Sequence, residues 1–381
     1  MAPGHSVPVP EPSVAPEPVV HGSAPQAVAQ PVTTGTRPGP ADSIASATSD
    51  SLADATVLEQ LAAAHPPEGN FPLQAGDALD ALASSSSARL DLSTYADHDR
   101  VRYYLDFFQG PARARMAIWL TRLPVYEPMV RERFAAEGLP SDLVYLGLIE
   151  SGFSNVAVSR SRAVGMWQFM RGTGRWMGLR IDRWVDERRD PVKATDAAAR
   201  YLALLTRQFG SHYLAAAAYN GGPGTVSRGL QRMDLGGGDA VAAEGEDEGD
   251  EYSDGDFFTL ADSRYLRQET KDYVPKLIAA ALIARQPTVY GFEPLPEVAA
   301  FPQDSILVPD MTGLDVIARL AGVPTSAIQE LNPHYIRQVT PPDTRSVVRL
   351  PAGTMERVTV AYASLPAKER VAFRSHVVKK G

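Results

Sequence analysis

The sequence predicts a mainly α-helical protein that carries one small α+β module near its C-terminus. From Tyr95 to beyond residue 280, apolar side chains recur three to four residues apart, the spacing that gathers them on one face of a helix. Short runs of β-forming residues, at 305–308 and 346–350, flank two helical segments and predict a βααβ unit. The first forty residues contain ten prolines, and the first aromatic residue is Phe71, so the N-terminus is not predicted to fold.

Residues 1–70 are predicted to form a disordered Pro/Ala/Ser-rich tail. A segment with so few large apolar side chains cannot bury enough surface to offset the entropy lost on ordering. Alternating Pro, Val, Ala and Ser favour extended, polyproline-like conformations, and we interpret the tail as a spacer. Within it, a stretch around 57–64 has the pattern of one short helix.

Residues 71–134 are predicted to be a helical region that packs beside a central domain. Apolar residues recur at helical spacing as far as Phe134, and Pro111 and Pro124 are predicted to mark helix boundaries. The central domain is predicted to span 135–292. One of its helices should follow Asp190, where the next residue is proline, and another should stop at the breaker cluster 220–223.

An acidic segment is predicted to interrupt the central domain at about 234–256. Eight carboxylates between Glu244 and Asp256 equal the whole formal charge of −8. We interpret this run as a disordered, mobile surface insertion. The rest of the chain is near neutral and lacks the basic footprint of a nucleic-acid-binding protein.

The composition excludes several classes of site. The chain has no cysteine, which excludes disulfides, thiolate metal sites, a cysteine nucleophile and a lipid anchor on cysteine. Its seven histidines are scattered without ligand spacing, so we expect no metal and no cofactor. No apolar run is long enough to predict a membrane span, and the N-terminus lacks the pattern of a signal peptide.

Glu150 is the candidate catalytic residue. It adjoins a helix face made of apolar side chains, and Gly152 can end the helix directly after it. Apolar surroundings disfavour an ionised carboxylate and raise its pKa, which a general acid working near neutral pH requires. From this segment alone, an exposed glutamate at a helix end is the simpler interpretation. The apolar face consists of Leu143, Leu146, Ile149 and Phe153.

The order of four motifs favours the catalytic interpretation. They lie at 150–153, 165–174, 216–224 and 269–276, with the sequences ESGF, GMWQFMRGTG, AAAYNGGPG and ETKDYVPK. In this order they resemble the signatures of the lytic transglycosylase family, whose lysozyme-like domain cuts the glycan strands of peptidoglycan. Trp167 is common in the membrane-bound type D group of that family, which the chain most resembles.

The resemblance implies that a single glutamate performs the reaction. Glu150 would protonate the bridge oxygen between N-acetylmuramic acid and N-acetylglucosamine, and would then act as a base on the C6 hydroxyl, which closes a 1,6-anhydro ring. Phe169 we interpret as a core residue. The resemblance also implies residues that line the sugar cleft or contact the catalytic acid, namely Ser159, Gln168, Met170, Tyr219, Asn220 and Tyr273.

The C-terminal segment 293–365 resembles a degenerate LysM module, a small βααβ unit that grips strands of N-acetylglucosamine. The resemblance depends on LDVIARLAGV at 314–323 and LNP at 331–333, whereas the usual Gly-Asp-Thr-Leu start is missing. Residues 366–381 resemble the start of a truncated second LysM module, or a tail.

Two other functions stay open. A muramidase would need a second carboxylate to hold a water molecule opposite Glu150. A non-catalytic peptidoglycan-binding protein would not need Glu150 at all. In every case the expected partner is the peptidoglycan glycan strand in the bacterial cell envelope, with peripheral membrane or wall association left open. The candidates for a second carboxylate are Asp182, Asp186, Glu187 and Asp190.

Overall fold

The computed structural model describes residues 54–61, 63–64, 89–236, 252–301 and 304–371. These residues are mainly helical and include one two-stranded sheet, which confirms the predicted fold class. Across these ranges no helix is both long and apolar enough to cross a membrane. The helices are α1 (54–61), α2 (Asp99–Gln109), α3 (Arg113–Ala136), α4 (Leu146–Ser151), α5 (Arg171–Trp176), α6 (Pro191–Phe209), α7 (His212–Gly221), α8 (Pro223–Gly236), α9 (Asp254–Asp262), α10 (Gln268–Arg285), α11 (Leu314–Ala321), α12 (Thr325–Leu331) and α13 (Met355–Ala363), and the strands are β1 (Ser305–Val308) and β2 (Ser346–Arg349).

Helices α7 and α10 lie at the centre of the helical domain. α10 packs against α2 and α7, and α6 packs against α7. Four consecutive alanines at 215–218 are fully buried in α7, and their small side chains let the neighbouring helices approach closely. The Asp190 carboxylate accepts hydrogen bonds from the backbone N–H groups of Val192 (3.0 Å) and Lys193 (3.0 Å), so α6 begins where the sequence predicted it.

Helix α3 corrects one predicted boundary. Pro111 lies between α2 and α3 as predicted, but α3 continues through both Pro124 and Pro128, so the boundary at Pro124 was wrong. A proline inside a helix removes one backbone hydrogen bond and crowds the preceding turn. Here the buried side chains of Trp119 and Leu123 anchor the helix to the core, and this packing outweighs the local cost.

The end of the predicted N-terminal tail is folded. The short helix predicted around 57–64 is present as α1, which begins at residue 54, so the disorder predicted over 1–70 does not hold for the described residues 54–61 and 63–64. Residues 1–53, 62 and 65–70 lie outside the described residues. Leu61 is buried, and the Tyr104 hydroxyl donates a 2.6 Å hydrogen bond to the carbonyl oxygen of Ala64. Composition did not indicate that this segment packs against the core, because the residues that it contacts are distant in the sequence.

The C-terminal end of the acidic segment is also folded. Residues 237–251 lie outside the described residues, but Asp254 and Asp256 belong to the first turn of α9, so the predicted insertion was too long. Asp254 accepts hydrogen bonds from the Ser211 hydroxyl (2.6 Å) and the Tyr213 N–H (3.0 Å). Asp256 accepts from the N–H and the hydroxyl of Ser253, which completes a capping box. Acidic side chains are favourable at a helix N-terminus, a role that a count of charges does not reveal.

The C-terminal module contains the predicted strands and one helix that was not predicted. Strands β1 and β2 pair antiparallel with Ile306 opposite Val348, and α11 and α12 lie between them in the sequence. Val308, Ile317 and Ile328 fill the core of the module. Helix α13 follows β2 and packs on α11 and β1, so the unit is βααβα rather than βααβ. Of the predicted second LysM start, residues 372–381 lie outside the described residues.

The C-terminal module rests on the helical domain through Asp190. Arg349 pairs with the Asp190 carboxylate at 2.6 Å, and His334 Nδ1 lies 3.4 Å from its other oxygen. The Asp186 N–H donates to the carbonyl oxygen of His334 at 3.0 Å. Burial alone would raise the pKa of Asp190, but His334, Arg349 and the N–H of Lys193 hold it below its usual value. One buried carboxylate therefore both caps α6 and binds the module.

Acid is expected to destabilise the folded protein through His334. Burial lowers the pKa of His334 from 6.5 to about 4. Between these two values the unfolded chain binds a proton that the folded protein excludes, so the free energy of unfolding decreases as the pH falls, by on the order of 3 kcal/mol at pH 4. The variant His334→Gln lacks this titration, and its melting temperature should fall less than that of the wild type between about pH 7 and pH 5. Parallel melting curves would contradict the assignment of a buried, neutral imidazole.

Candidate active site

Glu150 lies on the last turn of α4, and the end of this helix is fixed by packing. Gly152 caps the helix with φ +58°, a left-handed conformation that favours glycine. A Cβ atom at Gly152 would lie 2.1 Å from the indole ring of Trp119, so no larger residue fits there. The hydroxyl of buried Ser151 donates a 2.8 Å hydrogen bond to the carbonyl oxygen of Met166, which ties α4 to the loop that follows. The helix, its cap and this loop therefore hold the position of Glu150.

The carboxyl group of Glu150 is poised to exchange a proton near neutral pH. Burial raises its pKa from 4.5 to about 7, as the apolar pattern of the sequence predicted. The Tyr273 hydroxyl donates a 2.5 Å hydrogen bond to Glu150 Oε1, and this bond and the charge of Lys276 lower the pKa, while the charge of Glu269 raises it. Burial and the Glu150 charge raise the pKa of Tyr273 well above 10, so its hydroxyl stays a donor.

Helix α10 presents three of these groups on one face. Glu269, Tyr273 and Lys276 are four and three residues apart, which is the spacing of neighbours on a helix surface. Lys276 is buried and lies 5.1 Å above the ring centre of Tyr104, and burial lowers its pKa. Tyr273 was the one residue of this motif predicted to contact Glu150, although the helical spacing also places Glu269 and Lys276 on the same face.

Of the two predicted residues of the third motif, Tyr219 lies near Glu150 and Asn220 contacts α10. Burial, followed by the charge of Glu150, raises the pKa of Tyr219 well above its usual value, and its hydroxyl donates a 2.8 Å hydrogen bond to the carbonyl oxygen of Trp167. Asn220 accepts a hydrogen bond from the Thr270 hydroxyl at 3.0 Å. Its side-chain nitrogen lies 3.5 Å from Glu269 Oε1, so α7 and α10 meet at this amide.

The other predicted contact residues belong to the loop between α4 and α5. The Ser159 hydroxyl accepts a 3.0 Å hydrogen bond from the N–H of Ala163 and so closes its own turn. Gln168 has φ +46° and donates to the carbonyl oxygen of Gly165 at 2.8 Å. Met170 is 46% exposed. The described hydrogen bonds of Ser159 and Gln168 are thus made within the loop rather than to Glu150.

A buried arginine that the sequence analysis missed supports this loop. Arg188 donates hydrogen bonds to the carbonyl oxygens of Arg162 (3.2 Å) and Phe169 (3.1 Å), and its charge is paired with Asp186 at 2.8 Å. Phe169 is buried, which confirms that it is a core residue. This role could not be predicted, because the carbonyl oxygens that Arg188 binds are 19 and 26 residues away in the sequence.

The four predicted candidates for a second carboxylate are each engaged in structural contacts. Asp190 caps α6 and pairs with Arg349. Within the described ranges, no three His, Asp or Glu side chains are grouped to hold a metal ion. The acid whose charge acts on Glu150 is instead Glu269, on α10. The other three candidates make local bonds, Asp182 to the N–H groups of Trp184 and Val185, Asp186 to Arg188, and Glu187 to the N–H of Arg180 and to Lys193.

Comparison with known proteins agrees with this arrangement. Residues 130–236 match the family described as "Transglycosylase SLT domain", and residues 303–367 match "Lytic transglycosylase MltD, LysM-like domain". The chain is therefore similar to an SLT transglycosylase domain over 130–236 and to an MltD LysM-like domain over 303–367. In this combination it is MltD-like, and the predicted resemblance is confirmed.

Three relatives show how far the similarity extends. The chain is 33% identical over 213 residues to "Membrane-bound lytic murein transglycosylase D" of Escherichia coli K12, which covers 52% of this chain and 42% of that protein. It is 30% identical over 159 residues to "Peptidoglycan transglycosylase gp16" of Escherichia phage T7, covering 41% of this chain and 10% of that protein. It is 32% identical over 117 residues to "Membrane-bound lytic murein transglycosylase C" of Pectobacterium atrosepticum, covering 27% and 33%. The chain thus spans less than half the length of each of these relatives.

Proposed function

We propose that the protein is a peptidoglycan lytic transglycosylase in the bacterial cell envelope. It would cleave the β-1,4 bond between N-acetylmuramic acid and N-acetylglucosamine and leave a 1,6-anhydromuramic acid end. The observation that carries this proposal is the Glu150 carboxyl group, with a pKa of about 7, bonded to Tyr273 inside an SLT domain. The envelope location is supported by the names of the relatives, which are membrane-bound murein enzymes.

The reaction that we propose uses one carboxyl group twice. Glu150 first donates its proton to the bridge oxygen, the C1–O bond breaks, and positive charge develops on the muramic acid ring. The carbonyl of the substrate's own N-acetyl group stabilises that charge. The ionised Glu150 then removes the proton of the C6 hydroxyl, whose oxygen bonds to C1. Glu150 ends protonated, and no water is consumed.

The surroundings of Glu150 suit both halves of this cycle. A pKa of about 7 leaves a large fraction of the acid protonated at neutral pH, as proton donation requires. Once the proton has left, the Tyr273 hydroxyl and the Lys276 charge favour the carboxylate that remains. The group can therefore lose and regain a proton without a large free-energy cost in either direction.

The residues around Glu150 would hold the sugar in the reactive position. The phenol of Tyr219 and the amide of Asn220 would contact the N-acetyl group. Gln168, Ser159 and Met170 would line the cleft on the side of the loop, and Met170 is exposed enough to contact a sugar ring.

A muramidase is the second candidate, and Glu269 is the observation that favours it. Hydrolysis of either stereochemistry requires a second carboxylate near the first. Glu269 is exposed and its charge reaches Glu150. Its Oε1 lies 3.5 Å from the Asn220 amide, a contact that holds it at the junction of α7 and α10.

Mass spectrometry of the soluble products separates these functions. The full chain would be incubated with purified peptidoglycan, and the released muropeptides would be weighed. Products that end in anhydromuramic acid, one water lighter than hydrolytic products, would support the lytic transglycosylase. Reducing ends would identify a muramidase. Absence of release, together with co-sedimentation of the protein with intact sacculi, would identify a non-catalytic binding protein.

Replacing Tyr273 with phenylalanine is expected to change the pH dependence of activity. Because Glu150 must begin protonated, the rate should fall as the pH rises through its pKa of about 7. The Tyr273 hydrogen bond lowers that pKa, so Tyr273→Phe raises it and the fall in kcat/KM moves to higher pH. We also expect kcat to decrease roughly tenfold, because the carboxyl group loses its orienting contact. Profiles of kcat/KM against pH test this expectation. If the decrease of activity on the alkaline side of the profile (the alkaline limb) occurs at the same pH in Tyr273→Phe and wild type, Tyr273 only orients the carboxyl group and does not set its pKa.

A further inference from the structure

We propose that Asp54, on helix α1, is a positioning residue for Glu150. This inference rests on the proposed function, because it assigns Asp54 a part in the same reaction. Asp54 lies almost one hundred residues before Glu150 in the sequence, at the start of a short helix within the Pro/Ala/Ser-rich N-terminal segment. The geometry nevertheless connects it to the end of the catalytic helix through two side chains.

The Asp54 carboxylate is only 1% exposed and is bound by three side chains of α3. Its Oδ1 accepts a 2.9 Å hydrogen bond from the Trp119 indole nitrogen and lies 3.2 Å from Arg115. Its Oδ2 accepts a 2.7 Å hydrogen bond from Arg122 Nη1. Charge-assisted hydrogen bonds to a buried carboxylate are strong and directional, so Asp54 fixes the rotamers of its partners.

Two of these partners also contact Gly152, the cap of the helix that carries Glu150. Arg122 Nη1, the atom that binds Asp54, donates a 3.1 Å hydrogen bond to the carbonyl oxygen of Gly152. The indole ring of Trp119 occupies the space where a Cβ atom of Gly152 would lie. Asp54 is thus one side chain removed from the main chain two residues after the catalytic acid.

The other end of the same segment contacts the second element that holds Glu150. The carbonyl oxygen of Ala64 accepts a hydrogen bond from the Tyr104 hydroxyl at 2.6 Å. The ammonium group of Lys276, three residues beyond Tyr273 on α10, lies over the ring of Tyr104. The segment 54–64 therefore supports both α4, which carries the acid, and α10, which carries its hydrogen-bond donor.

Loss of the Asp54 charge is expected to affect catalysis more than substrate binding. In Asp54→Asn the side chain keeps its shape, but one amide replaces a carboxylate shared by two arginines. Arg122 is then free to shift, and a displacement of the Gly152 carbonyl moves Glu150 relative to Tyr273. Small misplacements of a catalytic group lower kcat strongly. We expect a decrease in kcat of about tenfold or more, a KM within about twofold of wild type, and an alkaline limb displaced to higher pH.

Glu59 on the same helix offers a matched control. Glu59 pairs with Arg160 at 2.6 Å, but both side chains are largely exposed, at 42% and 83%. Glu59→Gln therefore makes the same chemical change as Asp54→Asn at a site where ion pairs contribute little. Its kcat, KM and pH profile should equal those of the wild type.

A second variant tests the proposal if Asp54→Asn fails to fold. Arg122→Lys keeps the positive charge beside Asp54, but an ammonium group lacks the forked geometry with which Arg122 serves both Asp54 and Gly152. It should retain most of the thermal stability and still lower kcat. Full kcat in Arg122→Lys, or in folded Asp54→Asn, would overturn the proposal. So would a lower melting temperature of Asp54→Asn with unchanged kcat and pH profile, because that pattern describes a purely structural role.

An NMR titration of Glu150 does not depend on catalysis, so it tests the role of Asp54 independently of the proposed function. Titration of the Glu150 carboxyl carbon, followed by NMR, reports its pairing with Tyr273 in any folded variant. A weakened pairing in Asp54→Asn should raise the titration midpoint relative to wild type and Glu59→Gln. If the wild type releases no products, the proposed function fails, and an altered midpoint would still support the link between Asp54 and Glu150. An unaltered midpoint would refute that link.

Discussion

Replacing Glu150 with glutamine is expected to lower kcat on purified peptidoglycan by roughly 10²- to 10⁴-fold. Glutamine has nearly the same shape and can still accept the Tyr273 hydrogen bond through its carbonyl oxygen, but it has no proton to donate to the bridge oxygen. Because the substitution places a neutral group in a site that already disfavours charge, the melting temperature should stay close to that of the wild type. The measurements are initial rates of muropeptide release and a thermal melt.

Glu269→Gln is the matched control for this variant. It removes the neighbouring acid whose charge raises the pKa of Glu150, so the alkaline limb of activity should move to lower pH while most of kcat is retained. A loss of activity as large as that of Glu150→Gln, together with reducing-end products in the wild type, would make Glu269 the second carboxylate of a muramidase. Full activity in Glu150→Gln would refute the assignment of the catalytic residue.

Replacing Gly165 with alanine is expected to lower the free energy of unfolding by at least about 3 kcal/mol. Gly165 has φ +86°, and a Cβ atom there would lie 1.8 Å from the backbone carbonyl oxygen of Arg188. That oxygen belongs to the main chain of a short 3₁₀ helix, Glu187–Arg189, and cannot turn away as a side chain can. The loop that carries Gln168 must therefore move, so activity should fall as well. Urea unfolding followed by circular dichroism measures the loss.

Gly178→Ala separates the clash from backbone strain. Gly178 has nearly the same backbone angle, φ +88°, but no atom lies within 4 Å of the position of its Cβ. This variant should cost only the strain of a left-handed residue, on the order of 1 kcal/mol. Equal losses in the two variants would show that the Arg188 carbonyl oxygen is not the cause.

The helices and the burial of Glu150 could be predicted because their signals are local. The Asp-Pro start of α6, the breaker after α7 and the apolar face beside Glu150 each lie within a few residues of the feature that they predict. The two strands of the C-terminal module were equally clear, since each is a short β-forming run between helical segments. Where neighbouring residues determine a structure, periodicity and capping residues are sufficient to predict it.

The supporting residues of the site could not be predicted because their partners are distant in the sequence. Asp54 binds residues of α3 more than sixty positions away, and nothing in its own segment marks it as buried. Arg188 was not singled out in the sequence, yet its guanidinium donates hydrogen bonds to two carbonyl oxygens of the preceding loop. Lys276 was visible in a quoted motif, but its burial follows from helix packing rather than from the motif.

The contact at Asp190 holds the C-terminal module in a defined position relative to the helical domain. The same carboxylate begins a helix of the SLT domain and binds Arg349 of β2, so the two domains are in direct contact at this point. Under the proposed function, a glycan strand bound by the C-terminal module would reach Glu150 at a set distance and angle. The interval between successive cuts along that strand would then follow from the dimensions of the protein, and weakening the Asp190 contact should broaden the distribution of product lengths.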